Sequence, residues 1–293
     1  MIAIRPRRSV LYMPGSNARA LEKARTLPAD ALIFDLEDAV APDAKESARE
    51  AVRAAVAGGG YGPRELVVRI NPLESPWGEA DLAAVAGAGP DAVLVPKVHS
   101  PEDLVAVGLR LRRHGAPDKT RVWAMIETPL AVLDARALAS TAGDVDTRLS
   151  GFVMGTNDLA KDTRTRLVPG RVPMLPWLMG TLTAARAYGL DILDGVYNDL
   201  SDAGGFRAEC EQGRDLGFDG KTLVHPGQIA SANAVFAPSA EEVALARAVV
   251  DAFARPENAG RAVIGLEGRM VERLHADMAE RTLALATAIR ERD

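Results

Sequence analysis

Eight short apolar runs divide this chain, and polar or charged residues lie at or near the end of each run. The runs are rich in Val, Ile, Leu and Ala, and segments with helical periodicity separate them. Nearly continuous apolar runs of this length are typical of parallel strands that are buried on both faces. The runs are Ser9–Pro14, Ala31–Asp38, Leu66–Asn71, Ala92–Val98, Arg121–Thr128, Leu149–Asn157, Leu190–Asn198 and Gly220–Pro226.

The segments between the runs carry signals for helix starts. Ser100 precedes Pro101 and an acidic first turn, and Ser239 fits a capping box with Glu242. Alternating strands and helices predict βαβ units, and eight such units predict a closed barrel. The alternative is an open doubly wound sheet, which expects a Gly-x-Gly-x-x-Gly turn where Gly15 stands alone. We therefore predict an α/β fold, a (β/α)8 TIM barrel with a C-terminal helical extension.

The predicted domain organisation is a catalytic barrel over 1–228 and an extension over 229–293. Within the extension, Ser239–Phe253 has the periodicity of a helix, and Val263–Gly268 predicts a tight turn or a short hairpin. Met270–Arg290 predicts a final amphipathic helix. Since the extension is longer than the eighth helix of a barrel requires, we expect it to cover the site of a neighbouring subunit.

Charge and composition argue against several classes of protein. The net charge is −5 and no dense basic block is present, so we expect no nucleic-acid partner. The basic stretch Arg5–Arg8 predicts an exposed N-terminal arm. No signal peptide and no run long enough to cross a bilayer is visible, which predicts a cytoplasmic protein without a membrane partner. Cys210 is the single cysteine, and its acidic neighbours favour a part-buried structural thiol.

Two carboxylates follow neighbouring strands of the predicted barrel. Glu127 lies at the end of the fifth run, and Asp158 directly follows the sixth. Because adjacent strands are about 5 Å apart, both side chains come within reach of one ion. Carboxylates, water and substrate oxygens suit Mg²⁺, with Mn²⁺ as the alternative, and the sequence has no His or Cys cluster for zinc. Each acid alone also fits a helix cap, but as a pair they predict a metal site.

More charged residues stand at the same predicted end of the barrel. Arg69 fits either a structural ion pair with Glu37 or Asp38, or a planar fork for a substrate carboxylate or enolate oxygen. With Asp35 nearby, three acids crowd the end of the second run, and this favours a compensating cation or arginine. For Lys97, an ion-pair or positioning role is favoured over Schiff-base chemistry, because neighbouring acids hold a lysine protonated.

Two further positions admit a functional and a structural interpretation. The turn Gly15–Ser16 leads into a helix that carries Lys23, and a helix start approached by glycine binds anions well. Lys23 also fits a solvated helix face. His225 ends the eighth run and is expected to brace its loop, although a role as a general base is the alternative.

Six motifs occur in a fixed order along the chain: Ser9–Ser16, Asp35–Val40, Arg69–Asn71, Pro96–Val98, Ile126–Thr128 and Gly155–Asp158. Together they resemble the citrate lyase β-subunit-like CoA-ester lyases, a family that includes malyl-CoA and citramalyl-CoA lyases. The resemblance extends from about Arg8 to the last helix. Segments 157–161, 207–214 and 217–226 are further similar to a branch of the family that includes (3S)-malyl-CoA thioesterase.

The resemblance implies a set of metal and substrate residues. It implies that Glu127 and Asp158 hold Mg²⁺ and that Glu37 and Asp38 support water bound to the metal. It also implies a CoA thioester as the substrate, and trimers or hexamers in which the C-terminal tail closes over a neighbour's site. The predicted substrate-binding residues are Arg69, Glu127, Gly15, Ser16, Lys23 and Asn157.

One position departs from the lyases of this family. Their tail supplies an aspartate after a Met-Ile or Met-Val pair, whereas here Glu272 follows Met270 and Val271. Glutamate keeps the acid and adds a methylene, and a shift of about 1 Å costs a large factor in rate. The thioesterase branch also has glutamate at this position. Together with Arg69, Glu272 is therefore a predicted catalytic residue whose identity bears on the choice between cleavage and hydrolysis.

These observations leave four hypotheses for the function. The first is a Mg²⁺-dependent lyase that cleaves a carbon–carbon bond of a short β-hydroxy-dicarboxylyl-CoA, giving an oxo-acid and an acyl-CoA. The second is a (3S)-malyl-CoA thioesterase that releases malate and CoA. The third is a non-catalytic or carrier-protein-dependent β-like subunit. The fourth is a metal-dependent pyruvate aldolase that acts on free oxo-acids.

Overall fold

The computed structural model describes residues 4–292, and its main feature is a closed barrel of eight parallel strands. The strands are β1 (Ser9–Pro14), β2 (Ala31–Asp35), β3 (Glu65–Arg69), β4 (Ala92–Val95), β5 (Arg121–Ile126), β6 (Leu149–Met154), β7 (Asp191–Asp194) and β8 (Gly220–Leu223). Each strand pairs with the next, and β8 pairs with β1. The predicted (β/α)8 barrel with C-terminal helices is confirmed.

Helices connect the strands and continue after the barrel. They are α1 (Ala18–Lys23), α2 (Lys45–Gly58), α3 (Gly78–Ala88), α4 (Pro101–Arg113), α5 (Pro129–Leu133), α6 (Ala135–Ala139), α7 (Thr156–Thr163), α8 (Leu175–Ala187), α9 (Ala203–Leu216), α10 (Ile229–Phe236), α11 (Ala240–Ala254) and α12 (Arg273–Arg292). Short 3-10 turns lie at Ala24–Thr26, Pro42–Ala44, Val172–Met174, Pro226–Gln228 and Pro256–Asn258. No helix within 4–292 combines the length and apolar character needed to cross a bilayer.

The apolar runs predict where strands begin better than where they end. Every strand starts within one residue of its run, but seven of the eight runs extend past the strand into the following loop. The difference matters for Asn157 and Asp158, which lie in the first turn of α7 and not in β6. Residues after a parallel strand leave the hydrogen-bonded ladder to start the next helix, and a mixed apolar and polar composition does not mark that point.

Side chains from the strands fill the barrel interior. Alternate residues of a strand point to the same face, so Val10 and Tyr12 of β1 face inward together, as do Trp123 and Met125 of β5. Such layers of side chains from alternate strands are the normal packing of this barrel. The buried interior cluster consists of Val10, Ala31, Ile33, Val67, Ala92, Leu94, Trp123, Met125, Val153 and Leu193, with Tyr12 packed against it.

The N-terminal basic stretch is not the exposed arm that its composition suggests. Arg8 is buried and pairs with the buried Asp30, with Nε 2.9 Å from Oδ2. Arg7 forms ion pairs with Glu65 and Asp191, and its guanidinium lies over the ring of Trp123. The prediction was wrong because these arginines, which precede β1, reach acids at the starts of β2, β3 and β7.

A buried charge cluster joins β7 and β8 to α9. Arg171 Nη1 donates to both oxygens of Asp194, at 2.7 and 2.8 Å. The Lys221 ammonium, which is fully buried, lies 3.1 Å from Asp194 and 2.7 Å from Glu209. Burial alone would raise the pKa of Asp194, but Lys221 and Arg171 outweigh it and lower the pKa. Each charge in this cluster has an opposite charge beside it.

The C-terminal residues form a separate compact unit. The chain divides between Asn233 and Ala234, and the smaller unit contains α11, α12 and a two-stranded hairpin, β9 (Val263–Leu266) and β10 (Arg269–Glu272). The predicted helix over Met270–Arg290 is therefore wrong in its first turn. Glu267 and Gly268 both adopt positive φ, which turns the chain back so that residues 269–272 pair with 263–266.

We predict that Asp194→Asn destabilises the protein by about 3–5 kcal/mol, because it leaves two buried cations without a full counter-charge. Urea unfolding followed by circular dichroism measures this change. The control is Asp215→Asn, at an exposed position of α9, which should leave the free energy of unfolding within about 0.5 kcal/mol of wild type. Equal stabilities of the two variants would contradict the prediction.

Candidate active site

A buried ion pair connects β2 and β3 at their C-terminal ends. Arg69 Nε donates to Asp35 Oδ1 at 2.7 Å, and Nη2 donates to Oδ2 at 2.6 Å. The two residues are partners in the strand register, so their side chains leave the sheet on the same face. The guanidinium also lies over the ring of Tyr12 on β1, 4.9 Å from its centroid. Asp35 and the ring of Tyr12 thus fix the position of the Arg69 guanidinium.

The remaining donor of Arg69 faces two more acids. Arg69 Nη1 lies 2.8 Å from Glu37 Oε2 and 3.7 Å from Asp38 Oδ2. Asp38 is largely exposed, whereas Glu37 is buried. Burial raises the pKa of Glu37 to about 8, and Glu127 and Asp38 add to the effect while Arg69 opposes it. The structural ion pair proposed for Arg69 is therefore present, and it leaves Glu37 incompletely neutralised.

Lys45, which no sequence pattern singled out, holds the loop that carries these acids. Its buried ammonium donates to the carbonyl oxygens of Leu36 and Glu37, at 2.8 and 2.7 Å, and to Asn71 Oδ1 at 2.7 Å. All three of its donors are thus used. The available signal was a lysine at the start of the helix that follows an acidic block. By fixing the backbone at Leu36 and Glu37, Lys45 orients the Glu37 side chain.

Glu127 and Asp158 share one cation. The Lys97 ammonium lies 2.7 Å from Asp158 Oδ1 and 3.4 Å from Glu127 Oε1. The Lys97 backbone N–H also donates to Glu127 Oε1, at 2.8 Å. Lys97 adopts a left-handed backbone conformation, with φ of 51°, which is uncommon outside glycine and often marks a functional site. The structure thus brings the two predicted metal ligands to one point and gives Lys97 an ion-pair role.

One oxygen of Glu127 is left for another ligand. Glu127 is fully buried, and its Oε2 has no hydrogen-bond partner among the described residues. Burial raises the pKa of Glu127 to about 7, although Lys97 opposes this shift. No group of three or more His, Cys, Asp or Glu residues within 4–292 could hold a metal ion. A cation here would therefore take two carboxylates from the protein and its other ligands from water and substrate, as Mg²⁺ commonly does.

Gly155 makes room for Glu127. A Cβ atom at this position would overlap Glu127 Cβ and lie 2.7 Å from Glu127 Oε2. Glycine is therefore needed at the end of β6 for the Glu127 carboxylate to occupy its position. The same turn starts α7, which carries Asp158.

The other predicted substrate residues lie in the turns and helices that follow β1 and β6. Gly15 packs against the end of β2, where its N–H donates to the Asp35 carbonyl at 2.8 Å. Ser16 and Lys23 are exposed, and Asn17 caps α1 by accepting from the Ala20 N–H. Asn157 exchanges hydrogen bonds with Asn198 in the loop after β7. These contacts leave the CoA and substrate roles of the four residues as predictions.

Glu272 and His225 are the last two residues with predicted roles. Glu272 ends β10 in the smaller unit, where its backbone N–H donates to His275 Nδ1 at 2.9 Å. Its predicted role at a neighbour's site stays a prediction. His225 accepts from the Gly227 N–H through Nδ1, at 3.0 Å, and so braces its loop as expected.

Comparison with known proteins identifies the family. The model of the HpcH/HpaI aldolase/citrate lyase family matches residues 8–226, which covers the whole barrel. The chain belongs to this family. The chain is similar to the (3S)-malyl-CoA thioesterase of Cereibacter sphaeroides strain KD131, which is 51% identical over 97% of this chain and 96% of the relative.

Two further proteins are similar over nearly the full length. Citrate lyase subunit beta of Escherichia coli K12 is 37% identical, over 98% of this chain and 96% of the relative. The crystal structure of CitE from Mycobacterium tuberculosis, in complex with magnesium, acetoacetate and coenzyme A, is 30% identical with a TM-score of 0.77. That match covers 98% of this chain and 100% of CitE. The resemblance to citrate lyase β-like proteins is therefore confirmed.

We predict that Gly155→Ala destabilises the protein by about 1–3 kcal/mol, because the added methyl group overlaps Glu127 and displaces the end of β5. Thermal and urea unfolding measure the loss. The matched control is Gly180→Ala in α8, where a Cβ meets no described atom within 4 Å. Since alanine favours a helix by roughly 0.5–1 kcal/mol over glycine, the control should not be less stable than wild type. A Gly155→Ala variant as stable as this control would disprove the close packing.

Proposed function

We propose that this protein is a Mg²⁺-dependent CoA-ester lyase. It would cleave a carbon–carbon bond of a short β-hydroxy-dicarboxylyl-CoA, such as malyl-, methylmalyl-, citramalyl- or citryl-CoA, to an oxo-acid and an acyl-CoA. The observation that carries the proposal is the pair Glu127 and Asp158 around one cation, with a buried Glu127 oxygen that has no described partner. The family membership and the CitE complex with magnesium, acetoacetate and coenzyme A support it.

The acids at the barrel mouth fit a divalent cation. Glu127 and Asp158 would hold it directly, and Glu37 and Asp38 would accept hydrogen bonds from its water ligands. Bound Mg²⁺, or Mn²⁺, supplies Lewis-acid polarisation of the substrate's carboxylate and hydroxyl oxygens. Added positive charge also lowers the cost of burying Glu37 and Glu127, whose pKa values burial raises.

Arg69 would act at the other end of the reacting bond. Cleavage removes the proton of the substrate hydroxyl, converts that carbon into the carbonyl of the oxo-acid, and leaves the electron pair of the broken bond on the thioester as an enolate. A positioned cation stabilises the negative charge that develops on the thioester oxygen. Asp35 orients Arg69 for this role through two hydrogen bonds. Glu272 of a neighbouring subunit would take the hydroxyl proton and then deliver it to the enolate carbon.

The remaining predicted residues would bind the rest of the substrate. Gly15 and Ser16, with Lys23, would contact CoA, and Asn157 would contact the acyl group. In this proposal the chain forms a homo-oligomer, a trimer or a hexamer, in which 229–293 covers a neighbour's site. Cys210 is free and buried, in keeping with a reducing compartment such as the cytoplasm.

Hydrolysis of the thioester is the second candidate. The chain is more similar to the (3S)-malyl-CoA thioesterase, at 51% identity, than to citrate lyase subunit beta, at 37%. In this alternative, water attacks the thioester carbonyl and the products are malate and CoA. The same mouth residues would bind the substrate, and Glu272 would direct the proton transfer.

Product analysis tests the proposed function. The protein is incubated with malyl-CoA and Mg²⁺, and the products are separated by chromatography. Glyoxylate with acetyl-CoA supports the lyase, and malate with free CoA supports the thioesterase. If no C4–C6 hydroxyacyl-CoA reacts, the proposal is wrong. Turnover only of substrates on a carrier protein would then support a β-like subunit, and turnover of free oxo-acids unaffected by CoA would support an aldolase.

We predict that Glu127→Gln weakens Mg²⁺ binding by more than the ~10–100-fold that loss of an outer-shell partner typically causes, since it would remove a direct ligand. Isothermal titration calorimetry with Mg²⁺, or electron paramagnetic resonance with Mn²⁺, measures the affinity. Glu50→Gln is the control, because Glu50 is exposed and pairs only with Arg53 in the described contacts. Unchanged affinity in Glu127→Gln would remove the metal assignment.

A second prediction concerns the tail. Glu127→Gln and Glu272→Gln should each be inactive alone, because one would lack the metal and the other the proton donor. When the two chains are co-expressed, about a quarter of the sites should combine an intact barrel with an intact neighbouring tail and recover activity. A mixture that stays as inactive as its parents would show that Glu272 does not act on a neighbouring subunit.

A further inference from the structure

Tyr12 is a polar group inside the barrel that the proposed function leaves unused. It lies on β1, where its ring packs against the apolar interior and under the guanidinium of Arg69. Its hydroxyl has one described hydrogen-bond contact, to Met125 Sδ at 4.0 Å. A thioether sulfur is a weak acceptor, so the hydroxyl proton is poorly used in this arrangement.

Arg69 aims a donor at the same sulfur. Its Nε and Nη2 are taken by Asp35, while Nη1, which also lies 2.8 Å from Glu37 Oε2, donates toward Met125 Sδ at 3.9 Å. The phenol and the guanidinium, from β1 and β3, therefore converge on one point at the top of the barrel interior. Two donors converging on one weak acceptor resemble a site for an anionic oxygen. Methionine is flexible, so its sulfur is easily displaced.

The surroundings keep Tyr12 in its neutral, donating form. Burial raises the pKa of the phenol, and the nearby carboxylates of Asp35, Glu127 and Glu37 add to the effect, while Arg69 opposes it. The same acids border the proposed metal site, so the hydroxyl lies among the groups that would surround a substrate.

We propose that the Tyr12 hydroxyl and Arg69 Nη1 together bind the thioester carbonyl oxygen and stabilise the negative charge that develops on it. This inference rests on the proposed function and extends it, because it makes Tyr12 a catalytic residue. In carbon–carbon cleavage, the electron pair of the broken bond moves into the thioester and its oxygen becomes an enolate oxygen. Both donors keep their protons, and the enolate carbon later takes a proton from a separate acid.

Tyr12→Phe tests this inference, because it removes the hydroxyl and retains the ring beneath Arg69. Loss of one donor to a developing oxyanion costs about 100-fold or more in kcat. We expect that fall for malyl-CoA, with KM within about threefold of wild type, since the interaction strengthens as the charge develops. Exchange of the acetyl-CoA methyl protons with D2O, followed by mass spectrometry, should slow in parallel. Tyr188→Phe, at a half-exposed tyrosine after α8, is the control and should match wild type.

The outcomes separate this inference from the function beneath it. An active wild type with an unaffected Tyr12→Phe variant would overturn the role of Tyr12 and leave the lyase or thioesterase intact. A loss of kcat accompanied by weaker Mg²⁺ binding or a lower melting temperature would assign the effect to packing and also overturn it. A wild type that neither turns over a hydroxyacyl-CoA nor exchanges acetyl-CoA protons would overturn both.

Discussion

Negative charge buried at the C-terminal end of the barrel is the constraint on which the site depends. Arg69 is committed to Asp35 through two hydrogen bonds, and Lys97 is divided between Glu127 and Asp158. Glu37 pairs only with the remaining guanidinium nitrogen of Arg69, Nη1, among the described contacts. Burying a carboxylate without full compensation is costly, and the chain accepts that cost at this end of the barrel. A ligand that brings positive charge is therefore stabilised by groups already in place.

The Asp194 cluster shows the opposite solution in the same barrel. Asp194 is as buried as Glu127, but two cations flank it and lower its pKa, while burial raises that of Glu127. The first arrangement places an opposite charge beside each charge, although Arg171 Nη2 has no hydrogen-bond partner among the described residues, and it suits a structural link between β7, β8 and α9. The second leaves an oxygen without a described partner. Environment separates a structural from a functional acid, because the residue type and burial are similar.

Sequence patterns predicted the barrel well and its loops poorly. Eight apolar runs located all eight strands, because doubly buried strands need continuous apolar side chains. The runs did not show that Asp158 lies in a helix or that residues 269–272 form a strand, since both depend on turns with few signals.

Glu127 and Asp158 could be paired because neighbouring strands bring their ends together. The contacts of Lys97 and Lys45 depend on a left-handed residue and on loop packing, which composition does not encode. Tyr12 is two residues after Val10 and therefore shares its face of β1. Inside an apolar run, however, a tyrosine is easily interpreted as one more core residue.

Tyr12 and Arg69 would affect the choice between carbon–carbon cleavage and thioester hydrolysis differently from the C-terminal tail. Carbon–carbon cleavage and thioester hydrolysis both place negative charge on the thioester oxygen, as an enolate in one case and a tetrahedral adduct in the other. Tyr12 and Arg69 would serve either reaction equally, so they do not select between them. What differs is the destination of the proton and the access of water to the carbonyl. Both depend on the group that closes the site, and in the proposed assembly that group is Glu272 of a neighbouring subunit, whose extra methylene relative to aspartate changes its reach.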